Sequence, residues 1–73
     1  MVRNPEYFIT IVEAGSLTKA AKKLYVSQPY LSQYLKHLEQ SLGVELFDHS
    51  VSPLTPTYAG QLVYQYVLRQ IRQ

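Results

Sequence analysis

Hydrophobic residues recur every three or four positions through the first 42 residues of the chain, and this spacing predicts three helices. The first is expected to follow the cap residue Asn4, with Pro5 in its first position, and to end at Gly15. Ser16 is expected to cap the second helix, and the third spans Ser27 to Leu42. The predicted inward-facing residues are Tyr7, Phe8, Ile11 and Val12, then Leu17, Ala20, Ala21 and Leu24, then Leu31, Leu35, Leu38 and Leu42.

The pattern changes after Gly43. Val44 to Phe47 alternates enough for a short strand, and Leu54 to Pro56 is predicted to complete a hairpin, with Pro56 on an edge because proline lacks a backbone donor. Thr57 is expected to cap a last helix that runs to Gln73. The order helix, helix, helix, hairpin, helix predicts a mainly α domain.

The last predicted helix is apolar on two faces. The face expected to close the domain's own core consists of Ala59, Leu62, Val63 and Tyr66. The opposite face consists of Tyr64, Val67, Leu68 and Ile71. A helix that is apolar on both sides must be buried on both sides, which one small domain cannot do, so the second face is predicted to contact a partner.

Composition limits the kinds of protein this can be. Seventy-three residues allow one domain, and the absence of cysteine excludes disulfides, cysteine zinc sites and a thiol nucleophile. His37 and His49 lack metal-ligand spacing, so neither a metal nor a cofactor is expected. Charged residues make up only 16% of the chain, below the typical value of about 25%, which also favours a partner. With neither a signal peptide nor a membrane span in the sequence, we expect a cytoplasmic protein.

Positive charge is concentrated on the second and third helices. The net charge is +2, and four of the seven basic residues lie between Ser16 and His37, a segment without any acid. Two short helices joined by a tight turn have the layout of a helix-turn-helix. A solvated lysine face is the alternative interpretation of the charge pattern alone. The lysines are Lys19, Lys22, Lys23 and Lys36.

The outward face of the third helix favours a DNA-binding role. Glutamine can pair bidentately with adenine and serine with several base edges, whereas a carboxylate on this face would repel phosphate. The helix caps Ser16 and Ser27 could also bind phosphate, although capping alone explains them. The tyrosines at 25, 30 and 34 either offer hydroxyl contacts or pack half-buried. The outward face consists of Pro29, Ser32, Gln33, Lys36 and Gln40.

Short motifs along the chain resemble the amino-terminal domain of LysR-type transcriptional regulators, without a gap from about Phe8 to Gly60. They are Ser16-Leu17-Thr18, Ala20-Ala21, Leu24, Val26-Ser27-Gln28-Pro29, Leu31-Ser32, Leu38-Glu39, Leu42-Gly43-Val44, Leu46-Phe47 and Ala59-Gly60. The resemblance implies a bacterial winged helix-turn-helix with a three-helix core, a short two-stranded wing and a C-terminal linker helix. It also implies a dimer that binds operator DNA, with the third helix in the major groove.

The resemblance implies particular sites. It places Gln28, Pro29, Ser32 and Gln33 near base edges and Thr18 and Lys36 near phosphates. Two further expected DNA contacts, Ser27 and Tyr30, come from the cap position and the hydroxyl group described above. Residues 1–57 would form the DNA-binding domain and residues 58–73 the start of a linker helix that pairs with its copy. The expected dimer contacts are Tyr64, Val67, Leu68 and Ile71. A small-molecule effector would bind only a separate domain absent from this chain.

Several positions depart from the family pattern. His49 stands where an arginine is usual, Gln33 where arginine is common, and Pro56 where a leucine precedes the threonine. The segment from Asp48 to Thr57 has neither arginine nor lysine, so the wing is expected to probe the minor groove weakly. This bare wing supports an alternative function, a winged-helix protein-interaction module without DNA binding. An enzyme is disfavoured, because no segment places a nucleophile beside a base.

Overall fold

Four helices and a two-stranded sheet make up the chain in a computed structural model, which describes residues 2–71. The helices are α1 (Pro5–Ala14), α2 (Leu17–Leu24), α3 (Gln28–Leu42) and α4 (Tyr58–Ile71), and the strands are β1 (Phe47–Asp48) and β2 (Thr55–Pro56). This order and mainly α architecture confirm the prediction. The last two residues of the predicted final helix lie outside the described part.

Side-chain caps begin three of the helices, as predicted. The hydroxyls of Ser16 and Ser27 accept hydrogen bonds from the third amide of α2 and of α3, each at 3.2 Å. The Thr57 hydroxyl accepts from the Gly60 amide at 3.1 Å. Gly15 and Gly43 end α1 and α3 in the left-handed conformation, with φ of 67° and 71°.

The prediction that Asn4 caps α1 with its side chain is wrong. A capping side chain needs extended backbone at that residue, whereas Asn4 is left-handed, with φ of 48°. The backbone carbonyl oxygen of Asn4, rather than its side chain, makes the hydrogen bonds at this end of α1. It accepts from the amide of Tyr7 at 2.8 Å and from the hydroxyl of Tyr34 at 3.2 Å, which ties the start of α1 to α3.

The core lies between α1, α2, α3 and the start of the wing. Its buried residues are Phe8, Ile11, Ala20, Ala21, Leu31, Leu35, Leu38, Leu46 and Phe47. The rings of Phe8 and Phe47 lie 5.5 Å apart, so the wing base packs directly on α1. Ile9, outside the predicted stripe, is also buried, and α1 contacts α4. Leu42, predicted to face inward, is 42% exposed because it lies in the last turn of α3, at the edge of a shallow groove.

The wing is shorter than its sequence pattern suggests. Phe47 pairs with Pro56 and Asp48 with Thr55, in antiparallel register. The predicted first strand from Val44 to Phe47 is wrong in its bounds. The amides of Leu46 and Phe47 donate to a side chain of α3 rather than to a second strand.

Gly60 determines which side of α4 faces the domain. A Cβ atom at this position would overlap the carbonyl oxygen of Leu46 and lie 3.1 Å from the Cβ of Pro56. At about 100° per residue, Val63, Tyr64 and Val67 fall on the same side of the helix as Gly60. Backbone contact at Gly60 therefore turns these three side chains inward.

The predicted division of α4 into two faces is consequently wrong. Val67, assigned to a partner, is only 1% exposed, and Tyr64 packs on the core and donates its hydroxyl hydrogen to Glu13 at 2.9 Å. Leu62 and Tyr66, assigned to the core, are 54% and 48% exposed. The other two residues assigned to the core, Ala59 and Val63, do pack against it. Of the other two assigned to a partner, Leu68 is half-buried and Ile71 is 38% exposed. Within residues 2–71, no helix is both long and apolar enough to cross a membrane.

Gly60→Ala should lower the free energy of unfolding by about 2–3 kcal/mol, because the methyl group meets backbone that cannot move aside. Gly43→Ala is the matched control, since nothing lies within 4 Å of its Cβ position and only the positive φ opposes it. For this control we expect the free energy of unfolding to fall by about 1 kcal/mol. Urea unfolding of both variants checks the difference, and equal losses would contradict the close approach at Gly60.

Candidate nucleic-acid interface

A tight turn joins α2 to α3. Tyr25 ends α2 in the left-handed conformation, with φ of 59°, and its amide hydrogen bonds to the carbonyls of Ala21 and Lys22. The amide of Val26 also donates to Ala21, at 3.1 Å, and Ser27 then caps α3. Three residues thus separate the two helices, and the predicted helix-turn-helix pair is present.

The predicted DNA contacts lie on accessible parts of this pair. Ser32 is half-buried, and the other seven are exposed: Thr18, Ser27, Gln28, Pro29, Tyr30, Gln33 and Lys36. At about 100° per residue, Pro29, Ser32, Gln33 and Lys36 share one side of α3, away from the buried Leu31 and Leu35, and Gln28 is exposed as the first residue of the helix. Together these five residues offer two amide groups, one hydroxyl and one ammonium group, and no carboxylate.

The three tyrosines of this region have different environments. Tyr34 is half-buried and packs edge-on against Tyr7, and its hydroxyl donates to the backbone carbonyl of Arg3 at 2.7 Å. Burial, reinforced by Tyr7, raises the pKa of Tyr34 to about 12, so this hydroxyl stays a donor at neutral pH. Tyr30 is 55% exposed and Tyr25 is 95% exposed, which leaves both rings accessible.

The charges differ between the helix pair and the wing. Lys19, Lys22, Lys23 and Lys36 are all exposed. In the wing, hydrogen bonds from the Ser50 hydroxyl and amide lower the pKa of Asp48 below its usual value. The wing thus carries the carboxylate of Asp48 and, from Asp48 to Thr57, neither arginine nor lysine, which disfavours close approach of phosphate. This charge is a second reason, beside the missing arginine, to expect weak contacts between the wing and DNA.

Glu39 is an important residue whose role the sequence did not reveal. Its carboxylate, 14% exposed, accepts hydrogen bonds from the amides of Leu46 at 2.7 Å and Phe47 at 3.2 Å. His49 Nε2 lies 3.2 Å from both carboxylate oxygens. The side chain at position 49 thus faces α3 at the base of the wing. One signal was available: Glu39 is the first acid after Glu13.

Comparison with known proteins identifies the family. Residues 2–61 match the model of bacterial regulatory helix-turn-helix proteins of the lysR family. The chain belongs to this family. The family consists of transcriptional regulators and is not a family of enzymes. The match confirms the resemblance inferred from the sequence motifs.

Two curated relatives are transcriptional regulators much longer than this chain. BenM of Acinetobacter baylyi is 40% identical over 68 residues, which cover 93% of this chain and 22% of BenM. BsdA of Bacillus subtilis is 50% identical over 60 residues, covering 81% of this chain and 21% of BsdA. The chain therefore spans about a fifth of the length of these lysR-family relatives.

Solved structures of the family share the whole fold. BenM_DBD in complex with benA site 1 DNA has a TM-score of 0.92 and 38% identity, covering 99% of this chain and 81% of that one. CbnR_DBD in a DNA complex has a TM-score of 0.88 and 36% identity, covering 99% and 83%. These similarities confirm the predicted winged helix-turn-helix.

Glu39→Ala should lower the free energy of unfolding by about 2 kcal/mol, because it leaves the amides of Leu46 and Phe47 without their acceptor. Glu39→Gln keeps an acceptor oxygen but loses the charge, so we expect about half that loss. The control is Glu45→Ala, an exposed carboxylate nearby, with a change within about 0.5 kcal/mol. Urea unfolding measures all three, and a Glu39→Ala loss no larger than the control would contradict the proposed link between α3 and the wing.

Proposed function

We propose that this chain is the sequence-specific DNA-binding domain of a bacterial LysR-type transcriptional regulator, which binds operator or promoter DNA as a dimer with α3 in the major groove. The observation that carries the proposal is the exposed, acid-free polar side of α3 in a fold that matches DNA-bound members of the family. A major groove needs donors and acceptors on the inserted helix and no carboxylate facing phosphate.

The roles of the side chains follow from their chemistry. Gln28 and Gln33 can each form two hydrogen bonds to a base edge, while Ser32 can donate or accept and Pro29 supplies apolar contact. Thr18, Ser27, Tyr30 and Lys36 offer hydroxyl or ammonium donors to phosphate oxygens. The contacts to base edges would select the DNA sequence, and the contacts to phosphate would set the affinity and the register of the protein on the duplex.

Dimerisation through α4 is part of the proposal. Residues 1–57 would form the DNA-binding unit and residues 58–73 the start of the linker helix. Val67 is removed from the predicted interface because it is already buried within one chain, and Tyr64 is largely used by the core. Leu68 and Ile71 keep apolar surface that a second copy can cover. A twofold pair would then present two α3 helices to two half-sites.

The remaining assignments follow from the same function. Binding of this kind needs neither metal nor cofactor and no enzymatic step, and it takes place in the bacterial cytoplasm, where the chromosome lies. A small-molecule effector would act through a separate domain. The protein-interaction module without DNA binding has no support in the comparisons, whose solved structures include DNA complexes.

Gln33→Ala should change which bases are preferred, with a loss of about tenfold or more on the best duplex and little change on unrelated duplexes. Lys36→Ala should weaken binding to every duplex by a similar factor and reduce the slope of log affinity against log salt by about one. Fluorescence anisotropy with selected and unrelated duplexes, between about 50 and 200 mM salt, separates the two effects.

The wild-type chain is the reference in that experiment, and its salt slope should be several units. Equal losses on all duplexes in both variants would contradict the assignment of Gln33 to base reading. Wild-type binding that does not respond to salt would contradict the DNA-binding function itself.

A further inference from the structure

A cleft of about 480 Å³ lies between the N-terminal segment and one side of α3. Gln33 lines it and also belongs to the side of α3 assigned to base reading. Arg3 and Tyr30 line it too, and so does His37, whose Nε2 lies 3.4 Å from the Gln33 side-chain nitrogen. The cleft, here named the Arg3 cleft, is thus continuous with the proposed DNA-reading surface.

The chemistry of the Arg3 cleft suits an anion. Its donors include the Arg3 guanidinium and the Tyr30 hydroxyl, and no carboxylate is among the residues of the described chain that line it. Arg3, Tyr30, Gln33 and His37 are all exposed, so a ligand can reach them from solvent. Guanidinium with neighbouring neutral donors is a typical set of partners for a phosphate oxygen.

The backbone that carries Arg3 is held in place by α3. The Tyr34 hydroxyl donates to the Arg3 carbonyl at 2.7 Å, and a second contact reaches the Asn4 carbonyl at 3.2 Å. The Tyr34 ring packs edge-on against Tyr7, with centroids 5.2 Å apart, and this aromatic pair anchors the hydroxyl. The N-terminal segment therefore has a defined position relative to the outward side of α3, over a separation of 31 residues.

Helix geometry places the cleft beside the path of a DNA strand. At about 100° per residue, Lys36 and His37 diverge around the α3 axis, with Gln33 between them. A helix in a major groove has a phosphate backbone on each side of it. If Gln33 points to a base edge, Lys36 faces one backbone and the Arg3 cleft faces the other.

We propose that the Arg3 cleft binds a backbone phosphate of the DNA duplex, on the other side of Gln33 from Lys36, with Arg3 as the charged ligand and Tyr34 as a positioning residue. This inference rests on the proposed DNA-binding function. It assigns to the N-terminal segment a contact that would fix the register of α3 in the groove without reading sequence.

Arg3→Ala tests the charged ligand, with Arg69→Ala as the matched control, since Arg69 is exposed on α4 and its loss changes the net charge equally. Arg3→Ala should weaken binding to selected and unrelated duplexes alike by roughly fivefold and lower the salt slope by about one. Arg69→Ala should stay within about twofold of wild type on the same duplexes. Thermal unfolding should be the same for both variants.

Tyr34→Phe tests the positioning role, because it removes the hydroxyl and keeps the ring. Alone it should weaken duplex binding several-fold, and in combination with Arg3→Ala it should add almost nothing, because both changes remove the same contact. A purely structural role of Tyr34 predicts additive losses in the double variant. Additive losses would overturn the positioning role, and non-additive losses would support it.

Competition with inorganic phosphate at matched ionic strength distinguishes the two sources of a phosphate group. We expect no saturable change in the Arg3 and His37 NMR signals with free phosphate, and a clear change with duplex. Wild-type affinity and salt slope in Arg3→Ala would overturn this inference alone, whether or not free phosphate binds. Absence of duplex binding by the wild-type chain would overturn both the inference and the proposed function.

Discussion

The carboxylate of Glu39 links α3, the helix proposed to read DNA, to the rest of the domain. It accepts the amide of Leu46 at 2.7 Å, and the carbonyl of the same residue accepts the amide of Thr57 at 3.0 Å. The backbone of the buried Leu46 is therefore hydrogen-bonded both to a side chain of α3 and to Thr57, which caps α4. Gly60 allows α4 to approach this backbone closely. Because α4 is the proposed dimer helix, these contacts would set the spacing of two α3 helices on DNA.

Local signals predicted the helices well, and tertiary contacts account for what they missed. Ser16, Ser27 and Thr57 act through hydrogen bonds within three residues, so short sequence patterns reveal them. The rotation of α4 depends on contact between Gly60 and Leu46, which helical periodicity does not contain. The alternating pattern of residues 44–47 suggested a strand. The amides of Leu46 and Phe47 instead donate to the Glu39 carboxylate of α3, a tertiary contact that local alternation does not reveal.

The candidate site was predictable to the extent that it lies on one helix. The outward residues of α3 follow from helical arithmetic and their hydrogen-bonding chemistry. Arg3 was missed because its hydrogen bond to α3 is made with Tyr34, which is 31 positions away in the chain. The role of position 49 was likewise hidden, since His49 meets Glu39 across the wing base. The charge pattern alone did not distinguish a DNA-binding surface from a solvated lysine face. The acid-free polar side of α3, next to a cleft that contains an arginine, favours the DNA-binding surface.

Selection of bound sequences from a pool of random duplexes tests the central claim most directly. Sequence-specific binding by a dimer predicts enrichment of one short motif in two copies related by twofold symmetry, with centres about one helical turn or a multiple of it apart. The base positions that are enriched should be those that change when the selection is repeated with Gln33→Ala. A folded chain that enriches no motif from the pool would contradict sequence-specific recognition by α3.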